Sequence, residues 1–374
     1  MIAAVCNKLN LVFQGVACFK MTGIQFKDTQ RIVKMNKRSK IRICYVLLAM
    51  ILLVTLPACS KRERRAFYEA DISDTQIDSL RISRYEKVLF RLNPFVLREE
   101  IEPYREEFSI FIGHDPVDDL QTQRLFDFIT DPFVIDLYLD SKEMWEKHDN
   151  MEEILNQAFR YYKYHFPDHE IPHLYTYISG VDYMSPVKVG GNKVVIGLDT
   201  YLGPGYTKYD ELAIPRYISR WMRPERMIVD VMRTMADARL EETAPEAENL
   251  LEHMIYYGKR QFLLDCLLPR THDSLKIAYT HQQLEWMNKY ESYAWTYKID
   301  NDLLYTTDHR TINNFMGDAP FTSVFGNQSA PRTGVYIGWQ IVRNYMRRNP
   351  DITVGELLAE SDARRILSGA RYRP

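Results

Sequence analysis

Cysteine is scarce in this 374-residue sequence: there are five, and Cys6, Cys18 and Cys44 all precede residue 59. Beyond that point only Cys59 and Cys266 remain, which excludes a disulfide framework. Cys266 sits in the apolar run FLLDCLLP, the setting of a core thiol rather than of a nucleophile. The main apolar run, Ile43–Leu56, has 14 residues, short of the roughly 20 that a helix needs to span a bilayer. Internal repeats, low-complexity tracts and long Gly/Ser/Pro linkers are also missing beyond the first dozen residues after Cys59. Nor is there an excess of basic charge in the body. Nine of the 48 basic residues and one of the 50 acidic ones precede Cys59, leaving 39 against 49 and a net charge near −10. A body of that sign argues against nucleic acid or anionic lipid as the main partner.

What is present at the N-terminus is a targeting pattern. From Met35 the chain reads MNKRSKIRICYVLLAMILLVTLPACSKRERR: a basic start (Lys37, Arg38, Lys40, Arg42), a short apolar run, then Leu56-Pro57-Ala58-Cys59. Basic n-region, short h-region and a small residue before the cut describe a secretory signal. Cys59 directly after Ala58 makes it resemble a bacterial lipobox. That resemblance implies cleavage before Cys59, a diacylated thiol and an acylated amine, several chains together anchoring firmly. The expected organisation is an upstream extension at 1–34 that is not translated, a lipoprotein signal peptide at 35–58, a flexible tether at 59–72 and one globular domain at 73–374. SKRERR can lie against headgroups. It lacks the acidic run associated with surface display, so an outer-membrane anchor facing the periplasm is expected.

His169-Glu170-Ile171-Pro172-His173 matches H-E-x-x-H, the zinc signature of many peptidases. The motif needs a helix, which stacks residues i and i+4 on one face. Pro172 inside the pentapeptide and Pro167 before it break such a helix and push Ile171 towards an extended conformation. HLYTYISGV then reads as a strand, so His173 opens a strand while His169 lies in a turn pointing elsewhere. His165 shares the four-residue spacing, but the prolines deny the three a common face.

The rest of the body reads as α+β, predominantly helical with a small sheet. Strands are expected at 79–90, 173–181 and 193–198, the last two separated by SPVKVGGN with its Gly-Gly-Asn turn signal. Helical periodicity covers 94–166, 224–241 and 246–264. In 224–241, Pro224 fits the first helical position, Met227, Ile228, Val231, Met232 and Met235 form a core face, and Asp230 and Arg233 border it. Glu291 lies in an otherwise apolar stripe with Leu284, Met287 and Trp295, so its charge needs a partner, expected to be an arginine on a neighbouring helix. Gly334 and Gly338, four apart, allow another helix to come close.

Several segments in the same order, VVIGLDTYLG (194–203), YYGKRQFLLDCLLP (256–269), NKYESYAW (288–295) and APFTSVFGNQSAPRTGVYIGWQIVRNYM (319–346), together with the lipobox, resemble the gliding-motility lipoprotein GldB family of Bacteroidetes. The resemblance runs from about residue 75 to the C-terminus. It implies a palmitate-type lipoprotein of the cell envelope, acting with other envelope proteins and without an established enzymatic activity. The family is in turn distantly similar to zincin-like peptidases, which implies a degenerate zincin-like fold. On that comparison the metal helix is 224–241 and the third ligand falls near Tyr257-Gly258, but IVDVMRT stands where two histidines are needed. No metal, cofactor or catalytic residue is therefore expected. The cleft residues expected on this reading are Asp199, Tyr201, Tyr209, Asp230 and Glu291, with an extended peptide pairing along strand 193–198. GLDTYLG is equally well a rigid turn between strand and helix. Two other functions stay open: a zinc metallopeptidase using HEIPH, and a solute- or peptide-binding lipoprotein. Replacing Cys59 with Ser is expected to abolish incorporation of radiolabelled fatty acid; labelling that persists would refute the anchor.

Overall fold

A computed structural model describes residues 66–243 and 247–374. Cys59, the signal and the upstream segment lie outside these residues. The backbone organises around four strands: β1 (Ile82–Arg84), β2 (His173–Tyr177), β3 (Val187–Gly190) and β4 (Lys193–Gly197), in the order β1-β2-β4-β3. β1, β2 and β4 run parallel, and β3 returns antiparallel to β4. β4 is buried on both faces, as Val194, Val195 and Ile196 require. Val194 and Ile196 face the main core with Leu174. Val195 and Tyr175 face a second core with Tyr85, Leu89, Ile101 and Phe108.

Two strand expectations change. The stretch 79–90 forms only the three residues of β1 before turning into a helix, Tyr85–Leu89. Tyr85 and Leu89 sit four apart and share a face in either conformation, but an extended chain would put Lys87 on that face too, whereas the helix turns Lys87 away and buries Tyr85, Glu86 and Leu89. Between the two predicted strands, Val187–Gly190 pairs with β4 as a strand of its own, with Gly191 at φ +55° in the turn. β4 therefore has neighbours on both sides, and no peptide can pair along 193–198. On the β4 side of the sheet the edge strand is β3, and β1 forms the opposite edge.

The helices that matter for the site are α1 (Asp119–Thr130), α2 (Pro132–Lys147), α3 (Met151–His165), α4 (Pro224–Thr243), α5 (Leu250–Leu267), α6 (Asp273–Ile277), α7 (His281–Asp300), α8 (His309–Met316) and α9 (Thr333–Arg348). α5 starts later than its periodicity suggested because Asn249 and Glu252 form a capping box, each side chain taking the other's main-chain N–H. The segment 66–72, expected in the tether, packs on the body. Arg160 donates to the carbonyls of Ile72 and Thr75, and the Tyr68 ring meets Phe262 edge to face.

α5 and α9 form the most extensive helix pair. A Cβ on Gly338 would lie 1.8 Å from the Met254 carbonyl oxygen, and one on Gly258 would lie 2.4 Å from the Gly338 oxygen. The two helices thus touch backbone to backbone. Gly334 leaves room for the Met316 side-chain sulfur and the Phe315 carbonyl of α8. Beside this contact lies Asp265, fully buried. Its carboxylate takes Lys276 Nζ at 2.8 Å, Trp339 Nε1 at 2.8 Å and Arg343 through Nε and Nη2, both at 2.7 Å. Arg343 also grips Asp273 at 2.7 and 2.9 Å and lies 3.8 Å above the Trp339 ring. Burial opposes the Arg343 charge, but hydrogen bonds to Asp273 and Asp265 outweigh it and hold its pKa above the ordinary value. Cys266 is buried next to this network, and burial pushes its thiol pKa up, as fits a core thiol.

Glu291 corrects an expectation. Its partner is not an arginine but the Tyr372 hydroxyl, which donates at 2.5 Å and pins the C-terminal tail to α7. Burial raises the Glu291 pKa, tempered by Tyr372 and by the field of Arg343. Gly338→Ala is expected to cost about 3 kcal/mol or more in urea unfolding, since neither backbone can retreat; an unchanged midpoint would show that α5 and α9 are not in backbone contact.

Candidate functional site

α4 carries the site. Arg226, Asp230 and Arg233 fall at i, i+4 and i+7, so one face of the helix presents all three. They line a cleft of about 500 Å³ together with Tyr201 and Thr200 after β4, Tyr183 and Pro186 before β3, Tyr217 and Trp221, and Asp318 and Arg332. Asp230 is surrounded: Arg226 Nε donates at 2.9 Å, Tyr201 Oη at 3.2 Å, and Arg233 Nη2 lies at 3.1 Å. Burial lowers the Arg226 pKa to about 10, with Asp230 opposing the shift. Asp230 raises that of Arg233 against burial. Burial drives Tyr201 well above the usual phenol range, and the Asp230 charge adds to it.

The same guanidiniums fasten the cleft to the core. Arg226 Nη1 donates to the carbonyls of Leu275 and Lys276, and Arg332 Nη2 to those of Ile277 and Ala278. These carbonyls end α6, where two cations also suit the helix dipole. Arg332 sits at φ +48° and Ala278 at φ +55°, left-handed conformations held by this mutual contact.

Of the five expected cleft residues, Tyr201 and Asp230 line the cleft. Asp199 does not: it is fully buried and clamps the loop after β2, accepting from Ser179 N at 2.9 Å, Ser179 Oγ at 2.9 Å and Val181 N at 2.5 Å. Burial raises its pKa, and these donors pull it back. The clamp lets Val181 hold φ +64°. Tyr209 is a buried strut, donating to the Asp199 carbonyl at 2.7 Å and accepting from Leu202 N at 2.9 Å. Glu291 lines neither this cleft nor the second cavity. Sequence reading missed Arg226, Arg332, Tyr217 and Trp221. The spacing of Arg226, Asp230 and Arg233 was a visible signal; nothing local pointed to Arg332.

A second cavity of about 510 Å³ lies further along α4, lined by Met235, Arg239 and Glu242 and by Val189–Asn192. His169 and Glu170 line it, with His169 Nε2 3.9 Å from Glu242. His173 opens β2 and is engaged elsewhere, with Nε2 2.9 Å from Ser83 Oγ and Nδ1 3.2 Å from the Tyr175 hydroxyl. The two histidines of HEIPH thus have separate partners. Among the described residues no three His, Cys, Asp or Glu side chains gather as metal ligands.

The sequence model of a family described as gliding motility protein GldB matches residues 66–374, every described residue of the fold. The chain belongs to the GldB family. No curated protein and no solved structure matches it. Among the described residues of this GldB-family chain, no helix is long and apolar enough to cross a membrane. Membership places it with gliding-motility proteins of the cell envelope.

Scaffold and cleft separate by mutation. Asp199→Ala strips a buried acceptor from three donors and is expected to lower stability by about 3 kcal/mol. Tyr201→Phe removes one 3.2 Å bond and is expected to cost about 1 kcal/mol or less. Equal losses in thermal or urea unfolding would contradict this division.

Proposed function

We propose that this GldB-family chain is a non-catalytic binding protein, tethered by acyl chains on Cys59 to the outer membrane on its periplasmic side. Through the cleft beside α4 it engages another protein of the gliding machinery. The observation that carries the reading is the state of Asp230. The carboxylate that α4 contributes to the cleft lining is already occupied by two guanidiniums and a phenol, the arrangement of a rigid docking floor rather than of a base facing a substrate. The aromatic rim supports docking as well: Trp221 and Tyr217 offer broad rigid surfaces, beside Arg233, whose side chain is 30% exposed. His169 and His173, the residues of the peptidase alternative, face different partners, which weighs against that alternative. Lipid anchoring follows from the lipobox, and the gliding context from family membership.

The test is a photocrosslinking residue introduced at Tyr217 or Trp221 in the native lipoprotein, in cells. A discrete adduct with one envelope protein is expected from either position. No such adduct is expected from Leu120 on α1, which is 59% exposed and lines neither cavity. Identical adduct patterns at the rim and at Leu120, or none at the rim, would overturn the reading.

A further inference from the structure

We propose that the partner segment is an extended acidic peptide, which adds as a strand to the free edge of β3 and seats a carboxylate side chain on Arg233 and Arg332. This rests on the docking reading above and gives its ligand a chemistry. Charge is the first support. The body carries about ten more acidic than basic residues, yet Arg220, Arg226, Arg233 and Arg332 converge on this cleft against Asp230 and Asp318 alone. Complementarity then favours a negative ligand.

Donor accounting is the second. Arg233 has Asp230 as its partner at 3.1 Å, and its side chain, 30% exposed, lines the cleft. The Nε of Arg332 is buried without a hydrogen bond; the nearest acid, Asp318, is 3.3 Å away and 77% exposed. Arg226 and Arg332 are held by the carbonyls at the end of α6, so little side-chain entropy remains to be lost on binding. A fixed planar fork matches a carboxylate better than a point charge does.

The third support is main chain. β3 is a sheet edge, with β4 as its one strand neighbour. Gly197 N donates to Pro186 O at 2.9 Å, so the alternation of an antiparallel ladder turns the N–H and C=O of Val187 and Val189 away from β4. Pro186, just before β3, lines the arginine cleft, and Val189–Asn192 line the second cavity. Both cavities share α4 as a wall. From Pro186 to Gly191 an extended chain rises about 17 Å, and from Arg226 to Arg239 a helix rises about 20 Å. The two walls match in length, the reach of about five or six extended residues, which sets the size of the peptide proposed, with its acid at the Arg233 end.

An array of immobilised heptapeptides, with Asp, Glu, Asn or Gln at each position in turn, probed with the full-length lipoprotein in detergent, tests this. Peptides with an acid at one fixed position are expected to bind at least tenfold more tightly than their amide counterparts. Arg233→Gln should erase that preference. Val189→Pro should weaken acidic and amide peptides alike, because it removes a donor from the free edge and none from the β4 ladder. Both variants are compared at matched unfolding midpoints. Equal binding of acid and amide peptides, no peptide binding, or Arg233-dependent binding to anionic phospholipid vesicles in place of peptides would overturn the proposal. A rim crosslink to an envelope protein that persists without acid preference would leave the docking reading standing and remove this one alone.

Discussion

A fully buried carboxylate, Asp265, holds the architecture in register. Removing such a charge from water costs several kcal/mol, recovered only when its lone pairs are filled with good geometry. Here Lys276, Trp339 and Arg343 fill them, and each comes from a different turn of α6 or α9. The arrangement leaves little freedom: α6 must sit where Lys276 reaches α5, and α9 must present Trp339 and Arg343 to the same oxygen atoms. The glycine contact between Gly258 and Gly338 makes the approach of α5 and α9 close enough for this. From α6 the constraint passes outward, since its last carbonyls take Arg226 and Arg332 and so fix the positive groups of the cleft. Core electrostatics and site electrostatics are thus one connected set of hydrogen bonds.

Local signals in the sequence carried well where the physics is local. Pro167 and Pro172 rule out a helix at HEIPH, and His169 and His173 indeed take separate directions. Pro224 and the methionine face define α4 almost to the residue, and Gly334 and Gly338 mark a close helix contact. Legibility falls where packing decides. Residues 85–89 place Tyr85 and Leu89 on one face as strand or helix, and it is the buried Glu86, bonded by Thr176, with Lys87 turned away, that goes with the helix. β3 is four residues ending in glycine, too short to stand out beside its turn. The Arg226–Lys276 and Arg332–Ile277 connections span 50 and 55 residues, beyond any periodicity. For Glu291 the need for a partner was legible, but not that the partner would be a tyrosine two residues from the C-terminus.

The cleft combines features that answer to different demands. Asp199 and Tyr209 hold the loops that shape it and are inaccessible to a ligand. Tyr201 and Asp230 form its floor and are saturated by neighbours. What remains open is the outer part: Arg233, the aromatic rim and the unpaired side of β3. On the docking reading proposed above, a partner segment would meet a preorganised surface, and the entropy of ordering would fall on that segment.

The measurement that most directly tests this coupling is hydrogen–deuterium exchange on wild type and Asp265→Asn. If the buried carboxylate positions the cleft through α6, protection should fall together in three segments: α5 around residue 265, α6 at 273–278 and the cleft-facing part of α4 at 226–233. Loss confined to the neighbourhood of residue 265, with α4 as protected as in wild type, would contradict the account.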